Sequence, residues 1–499
     1  METSAVVEPR TIRLTAAMLL VFVVASQAEI VANPSFTDGD QQPAGWVVGS
    51  GQGAWRIIDG NRALISQGDG EQTSFWRSDP VGFAASELYR LRFRARRLTG
   101  AAGGGTVMSG TAFANRDLGT IDDHWRTFTS FFIAPDHAPV TPPDIGRDWL
   151  RFGQWHLPGT IAFDDIELHR VQPVHTHWDG AVLGQGETIV DGHYTFQAPQ
   201  RTNLANFSRP LQRHDAGFNT HRWVFGAGDY VLFRHEIGNH AQGQASVHVN
   251  VNYHTGGRLV VEARAAETLP WTTLGEVAAV GGVSFDVPSQ LLPADTLLVQ
   301  LRAVGAVPTA DKSDPGSFQV DDYRYDADLL GEPQDGSGSS RMVTVTGDAG
   351  LLNCRVEDAG DLQPGQADSI AIAVRLRGGP LEARVRATVT SLGASPPDGD
   401  WRAVQLFPGD NRLWLPYIVA GIGDRVLHVQ LEAGDAAGDA AGDDAAWRSL
   451  WSAELETHAS ILHADSYGEL LSAQEDVAVW WASSGWKVST TRQAPTEIG

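Results

Sequence analysis

Three pairs of adjacent carboxylates, Asp122-Asp123, Asp164-Asp165 and Asp321-Asp322, carry the residue type that cleaves glycosidic bonds. That reaction needs two carboxyls about 5 to 9 Å apart across a sugar. Successive residues of a strand point to opposite faces, so two sequence neighbours do not serve one sugar, and the pairs read as structural. His235-Glu236-Ile237-Gly238-Asn239-His240 approaches a zinc-protease motif, but that motif has two residues between the glutamate and the second histidine, and here there are three. The spacing takes the two histidines off a shared helical face. No Gly-x-Ser-x-Gly elbow, phosphate loop or dinucleotide fingerprint occurs, so no complete catalytic centre is legible and a non-enzyme is expected.

Aromatic residues offer a different chemistry. A flat indole covers the apolar face of a pyranose while polar neighbours bind its hydroxyls. Trp55, Trp76, Trp125 and Trp155 stand beside Arg, His, Ser and Gln and are the candidate platforms; most Trp in a sandwich is core, so each has a packing role as its alternative. The polar row His248, Asn250 and Asn252 is a second candidate face, with an ordinary wet surface as its alternative.

The elements that must position these residues are strands. With 499 residues the chain exceeds one hydrophobic core, and Gly 54, Pro 25 and 16 Trp favour many short strands joined by turns. Tyr89, Leu91, Phe93 and Ala95 alternate with Arg90, Arg92, Arg94 and Arg96, the period of a strand with one dry face and a wet face that the arginines solubilise. Val247, Val249, Val251 and Tyr253 alternate with polar residues, turn at Thr255-Gly256-Gly257 and return through Leu259, Val261 and Ala263, which reads as a hairpin. Ile370 to Leu376 and Leu381 to Val389 give two more alternating strands.

The expected fold class is all-β, a tandem array of β-sandwich domains of jelly-roll and immunoglobulin-like type. Residues 29–172 form the first sandwich, 173–330 the second, 331–340 a Gly/Ser-rich linker, 341–473 an immunoglobulin-like third, and 474–499 an aromatic segment that starts a missing domain or is a tail. Gly434 to Ala446, a Gly-Asp-Ala-Ala repeat, is expected as a solvated loop.

Residues 1–28 read as a secretory signal, with Arg10 and Arg13 before an apolar run from Leu14 to Ala25 and the small residues Ser26 and Ala28. The run falls short of the ~20 residues a membrane span needs, so a mature chain without a membrane span, periplasmic or extracellular, is expected. A net charge of -23 without a basic face argues against nucleic acid as a partner. The single cysteine, Cys354, excludes an intramolecular disulfide framework and a thiolate zinc site.

Asn33-Pro34-Ser35-Phe36, Pro43-Ala44-Gly45-Trp46 and the closing Ile161 to Leu168 resemble the two ends of jelly-roll carbohydrate-binding modules of the xylanase-associated type. The resemblance implies a carbohydrate-binding-module-like sandwich and a polysaccharide or glycan partner. In such modules an acidic residue of the last strand helps to hold a structural calcium ion, and Asp165 with Asp38 would be its ligands here. Val477, Val479, Trp480, Trp481 and Trp486-Lys487-Val488 resemble the segment that introduces the amino-terminal sandwich of family 123 glycoside hydrolases, whose catalytic barrel follows it. That resemblance implies the non-catalytic front of a glycosidase, or an accessory partner of a glycosidase catalytic domain. The rival reading is a cell-surface structural or protein-interaction array without a sugar ligand.

Overall fold

In the computed structural model the described residues are 31–459, apart from 101–104, 112, 137–148, 308–314, 348–351, 361, 398–400 and 435–446. The expected signal, the aromatic segment at 474–499 and nearly all of the Gly-Asp-Ala-Ala tract lie outside them. The described residues form strands and a single 3₁₀ turn at Ser289–Leu291, with no helix long and apolar enough to cross a membrane. The all-β, multi-sandwich expectation is met.

The first sandwich faces two sheets across a core. One sheet orders the strands Trp46–Ser50, Thr73–Ser78, Arg151–Trp155, Thr106–Gly110 and Asn115–Asp117; the other contains Gln52–Ile58, Asn61–Asp69, Pro158–Trp178, Leu88–Thr99 and Arg126–Ile133. Between them Phe36, Trp46, Phe93, Phe152 and Phe163 meet in edge and tilted contacts at centroid separations of 4.9 to 6.4 Å. Tyr89, Leu91, Phe93 and Ala95 are all buried, as their alternation requires.

Their partners on the wet face do more than solubilise it. Arg90 is buried, and its Nη1 lies 2.6 Å from Glu456 of the third sandwich, with Arg92 at 3.4 Å from the same carboxylate. Arg94 holds Asp164 and Asp165, and Arg96 holds Asp59. The row is thus a set of ion pairs, two of which, from Arg90 and Arg92 to Glu456, clamp two domains.

In the second sandwich Phe318–Leu329 lies between Gln242–His254 on one side and Arg222–Phe225 and His193–Gln197 on the other. The facing sheet runs Leu211–His214, Tyr230–Glu236, Thr296–Val304, Arg258–Arg264 and Thr272–Val277. Gln242–His254 and Arg258–Arg264 therefore belong to opposite sheets. The expected hairpin is instead a crossover, because Val247, Val249 and Val251 and then Leu259, Val261 and Ala263 fill one core from its two sides. The third sandwich pairs Ser340–Gly347, Trp447–Ala459, Gly423–Gly434, Leu381–Ser391 and Arg402–Leu406 opposite Leu352–Asp358, Ala367–Leu376 and Gly409–Ile418.

The boundaries between these units are hydrogen-bonded. The 21-residue strand Pro158–Trp178 pairs with Asn61–Asp69 and Leu88–Thr99 of the first sandwich, then with Ser340–Gly347 of the third, then with Ala181–Leu183. The position expected as the first domain's end thus falls inside a strand. The expected linker is also drawn into sheets: Gly336 and Ser337 pair with Ile189 and Thr188, and Ser340 pairs with His175. Asn219 pairs in parallel with Asn115, fusing sheets of the first two sandwiches.

Candidate functional site

The four expected platform residues are dispersed. Trp76 sits in the core at 3% exposure, its indole N–H donating to the Ile65 carbonyl at 2.9 Å, so it offers no face to a ligand. Trp55 is half-buried, donates to the Phe36 carbonyl at 3.0 Å, and has the Arg62 guanidinium 4.0 Å above its ring. Trp125 packs on the small outer cluster of Ala63, Ile65 and Ala162, donates to Asp59, and is covered by Arg94 and Arg96 at 5.3 and 5.4 Å.

Trp155 differs. It ends the strand Arg151–Trp155 and is 47% exposed. The next residue, His156, takes a φ of 50°, and its ring lies 4.4 Å from the indole at 50° between planes. The cross-strand partners of Trp155 are Thr73 on one side and Thr106 on the other, which bring hydroxyls to the same sheet face. Close packing beneath depends on absent side chains: a Cβ on Gly105 would stand 2.3 Å from the Trp155 carbonyl oxygen, and one on Gly153 2.5 Å from the Phe75 Cβ. The result is one aromatic face flanked by an imidazole and two hydroxyls at the rim of a sheet.

The second candidate face also takes shape. His248 and Asn250 project from Gln242–His254 toward Asp322 and Asp321 of Phe318–Leu329. The Asn250 amide donates to Asp321 at 2.6 Å, His248 Nε2 lies 3.8 Å from Asp322, and His248 Nδ1 lies 3.0 Å from the Ser284 hydroxyl. Arg201 lies 3.3 Å from Asp321, and the Gln197 amide donates to Asp322. Asn252 is half-buried on the same strand.

Two of the three carboxylate pairs do not alternate between faces as regular strand geometry would have it. A register shift between Asn250 and Val251 makes Asp321 an extra residue, so Asp321 and Asp322 both reach the Asn250/His248 face. Another shift follows Asp164, where Asp165 has a φ of 49°, and both carboxylates reach Arg94 at 2.8 Å. Neither pair is free for acid–base work. Asp164 is 1% exposed, with burial and then its neighbour Asp165 raising its pKa, while Asp321 and Asp322 are each held by donors. Asp122 and Asp123 are exposed and pair with Arg126 and His124.

His235 lies on the strand Tyr230–Glu236, fully buried, its ring 3.7 Å from that of Tyr325 and its Nε2 2.9 Å from the Tyr323 hydroxyl. Burial, and then Arg209, hold its pKa well below the ordinary imidazole value.

A calcium ion at Asp165 and Asp38 does not fit this arrangement. The Asp165 carboxylate is already neutralised by Arg94 Nε, a cation standing where a metal would be needed, and no interaction links Asp165 to the exposed Asp38. Among the described residues no group of three His, Cys, Asp or Glu is gathered for a metal. Melting curves recorded in millimolar calcium and in chelator are therefore expected to coincide. A rise in melting temperature with calcium that Asp165→Ala removes would show that the arginine is displaced by the ion.

Sequence reasoning missed the residues whose role depends on burial or on other domains. Exposed Trp178, Trp414 and Trp447 belong to the second and third sandwiches. Glu456 and Glu187 each anchor arginines. Nothing in their local sequence distinguishes them from surface residues.

No protein family matches the chain, and comparison with curated proteins finds no match. Among solved structures, the chain is similar to the amino-terminal CBM22-1-CBM22-2 tandem domain of Xyn10C from Paenibacillus barcinonensis, at 11% identity over 61% of this chain and 100% of that one, with a TM-score of 0.22. It is also similar to a triple jelly roll from the turret of an archaeal virus, at 10% identity over 82% and 88%, TM-score 0.19. A fucolectin from striped bass serum, Morone saxatilis, aligns at 11% identity over 52% and 84%, TM-score 0.17.

Proposed function

We propose that the chain is a secreted, non-catalytic carbohydrate-binding protein that holds a glycan on the Trp155 face of its first sandwich and serves as an accessory to a glycosidase. The observation that carries this is the exposed indole at a sheet rim, with His156 beside it and Thr73 and Thr106 on the flanking strands. Such a surface stacks on a pyranose and hydrogen-bonds its hydroxyls. Secretion rests on the basic and apolar opening residues.

One platform buries little area, so affinity is expected between about millimolar and micromolar. Trp155→Ala is expected to abolish retention on an insoluble polysaccharide column, a loss of at least tenfold, with an unchanged melting curve because the side chain is half in solvent. Trp76→Ala is expected to damage the fold instead, since it empties a core site. Full retention of the Trp155→Ala variant on a polysaccharide that binds the parent would overturn the reading. The interaction-array alternative takes over if the parent is retained on no glycan in a broad array.

A further inference from the structure

A second recess lies where the three sandwiches meet. Its volume is about 400 Å³, within the range of small-ligand sites. One wall is the outer face of the first sandwich at Arg90, Thr129 and Phe131, and another is the second sandwich at Asn203 and Leu204, joined to the first by the Phe131 N–H donating to the Asn203 carbonyl at 2.7 Å. The third sandwich closes it with Arg341, Asp424, Arg425, Glu456 and His458.

The charge of this recess is opposite in sense to that of the chain. Three guanidiniums and one imidazole face two carboxylates, in a protein whose net charge is -23. The two carboxylates are already engaged: Glu456 by Arg90 at 2.6 Å and Asp424 by His458 at 2.7 Å. Arg425 remains. Its Nε donates to the Ala420 carbonyl at 3.0 Å and its Nη1 to the Ser391 hydroxyl at 3.2 Å and the Asp424 carbonyl at 3.3 Å, all of them neutral acceptors. With Nε and Nη1 on neutral acceptors, the Nη2 hydrogens remain for an incoming anion, and a carboxylate takes them as a charge-assisted hydrogen bond.

Around this cation the lining is evenly amphipathic. Phe131, Leu204 and Met342 supply apolar surface, and Thr129, Thr457 and Asn203 supply hydroxyl and amide groups. A ligand that needs all three properties is a pyranose bearing a carboxylate. We infer that the junction of the three sandwiches is a second carbohydrate site, specific for a uronic acid unit whose carboxylate pairs with Arg425 and whose ring lies against Phe131. This site is separate from the Trp155 face and does not depend on it.

Isothermal titration of the full chain with sodium galacturonate and sodium glucuronate tests the inference, with galactose and sodium acetate at equal ionic strength as controls. At least one uronate is expected to bind at least tenfold more tightly than either control, since acetate has the charge alone and galactose the ring alone. Arg425→Gln is expected to weaken uronate binding at least tenfold. Leu392→Trp, which narrows the recess from an exposed rim position without removing a hydrogen bond, is expected to do the same and carries the test if Arg425→Gln alters the melting curve. Uronate binding no tighter than acetate or galactose, or full affinity in a folded Leu392→Trp variant, would overturn the assignment.

Discussion

Glu187→Gln is expected to cost about 3 to 5 kcal/mol of stability, the scale of breaking a buried ion pair by removing one partner. Glu187 is fully buried and accepts from four donors: Arg209 Nε at 2.6 Å, Arg209 Nη2, the Tyr194 hydroxyl at 2.6 Å and the Gly184 N–H at 2.5 Å. An amide cannot replace this carboxylate, because its NH₂ would face donors and the Arg209 charge, itself mostly buried, would lose its counter-charge. In the parent, burial first and then Glu187 raise the Tyr194 phenol well above its ordinary pKa. The urea midpoint of Glu187→Gln reads the effect. Pairing it with Arg209→Met should return part of the loss, because the isolated guanidinium goes with it. A single-variant loss below about 1 kcal/mol would show that water reaches the pair and screens it.

Acid is expected to weaken the protein through His175. This residue lies on Pro158–Trp178 where that strand meets Ser340–Gly347; its Nδ1 is 2.9 Å from the Ser340 hydroxyl and its ring parallels Phe207 at 6.2 Å. Burial first, then the nearby Arg209 and His177, lower its pKa from 6.5 to about 4. Between those values the unfolded chain binds a proton on this residue and the folded chain does not. The contribution is therefore complete above pH 6.5 and lost as pH falls toward 4, reaching up to about 3 kcal/mol for a shift of this size. His235, lowered in the same direction, adds to the trend. Urea titrations at pH 7, 5.5 and 4.5 measure the slope. His175→Gln, which cannot titrate but can still hydrogen-bond Ser340, should flatten it relative to the parent. Parallel slopes in the two proteins would mean that His175 protonates without cost in the folded state.

The strands were largely legible in the sequence, whereas their partners were not. Period-two patterning identifies that Val247, Val249 and Val251 face inward, yet it is equally satisfied whether the next strand lies beside them or across the core. That is why Gln242–His254 and Arg258–Arg264 form a crossover and not a hairpin. Likewise Arg90 and Arg96 look alike in an alternating run, and only tertiary structure gives one a buried clamp to Glu456 and the other an exposed Asp59. The bulges at Asp165 and Asp321 escape a strict alternation rule because one extra residue resets it. Of four Trp in similar local settings, three are covered by core or by arginines and one is open, a distinction fixed by residues far away in sequence.

The shared strand Pro158–Trp178 gives the protein a mechanical character. At about 3.3 Å per residue its 21 residues extend to about 70 Å, and hydrogen bonds tie successive stretches of it to all three sandwiches. Modules strung on flexible tethers sample many orientations and engage a surface one at a time; here the sandwiches turn as one beam. Tension applied at either end travels along a continuous backbone in shear, where several ladder bonds must break together. Such a beam keeps its exposed faces at a fixed spacing under load.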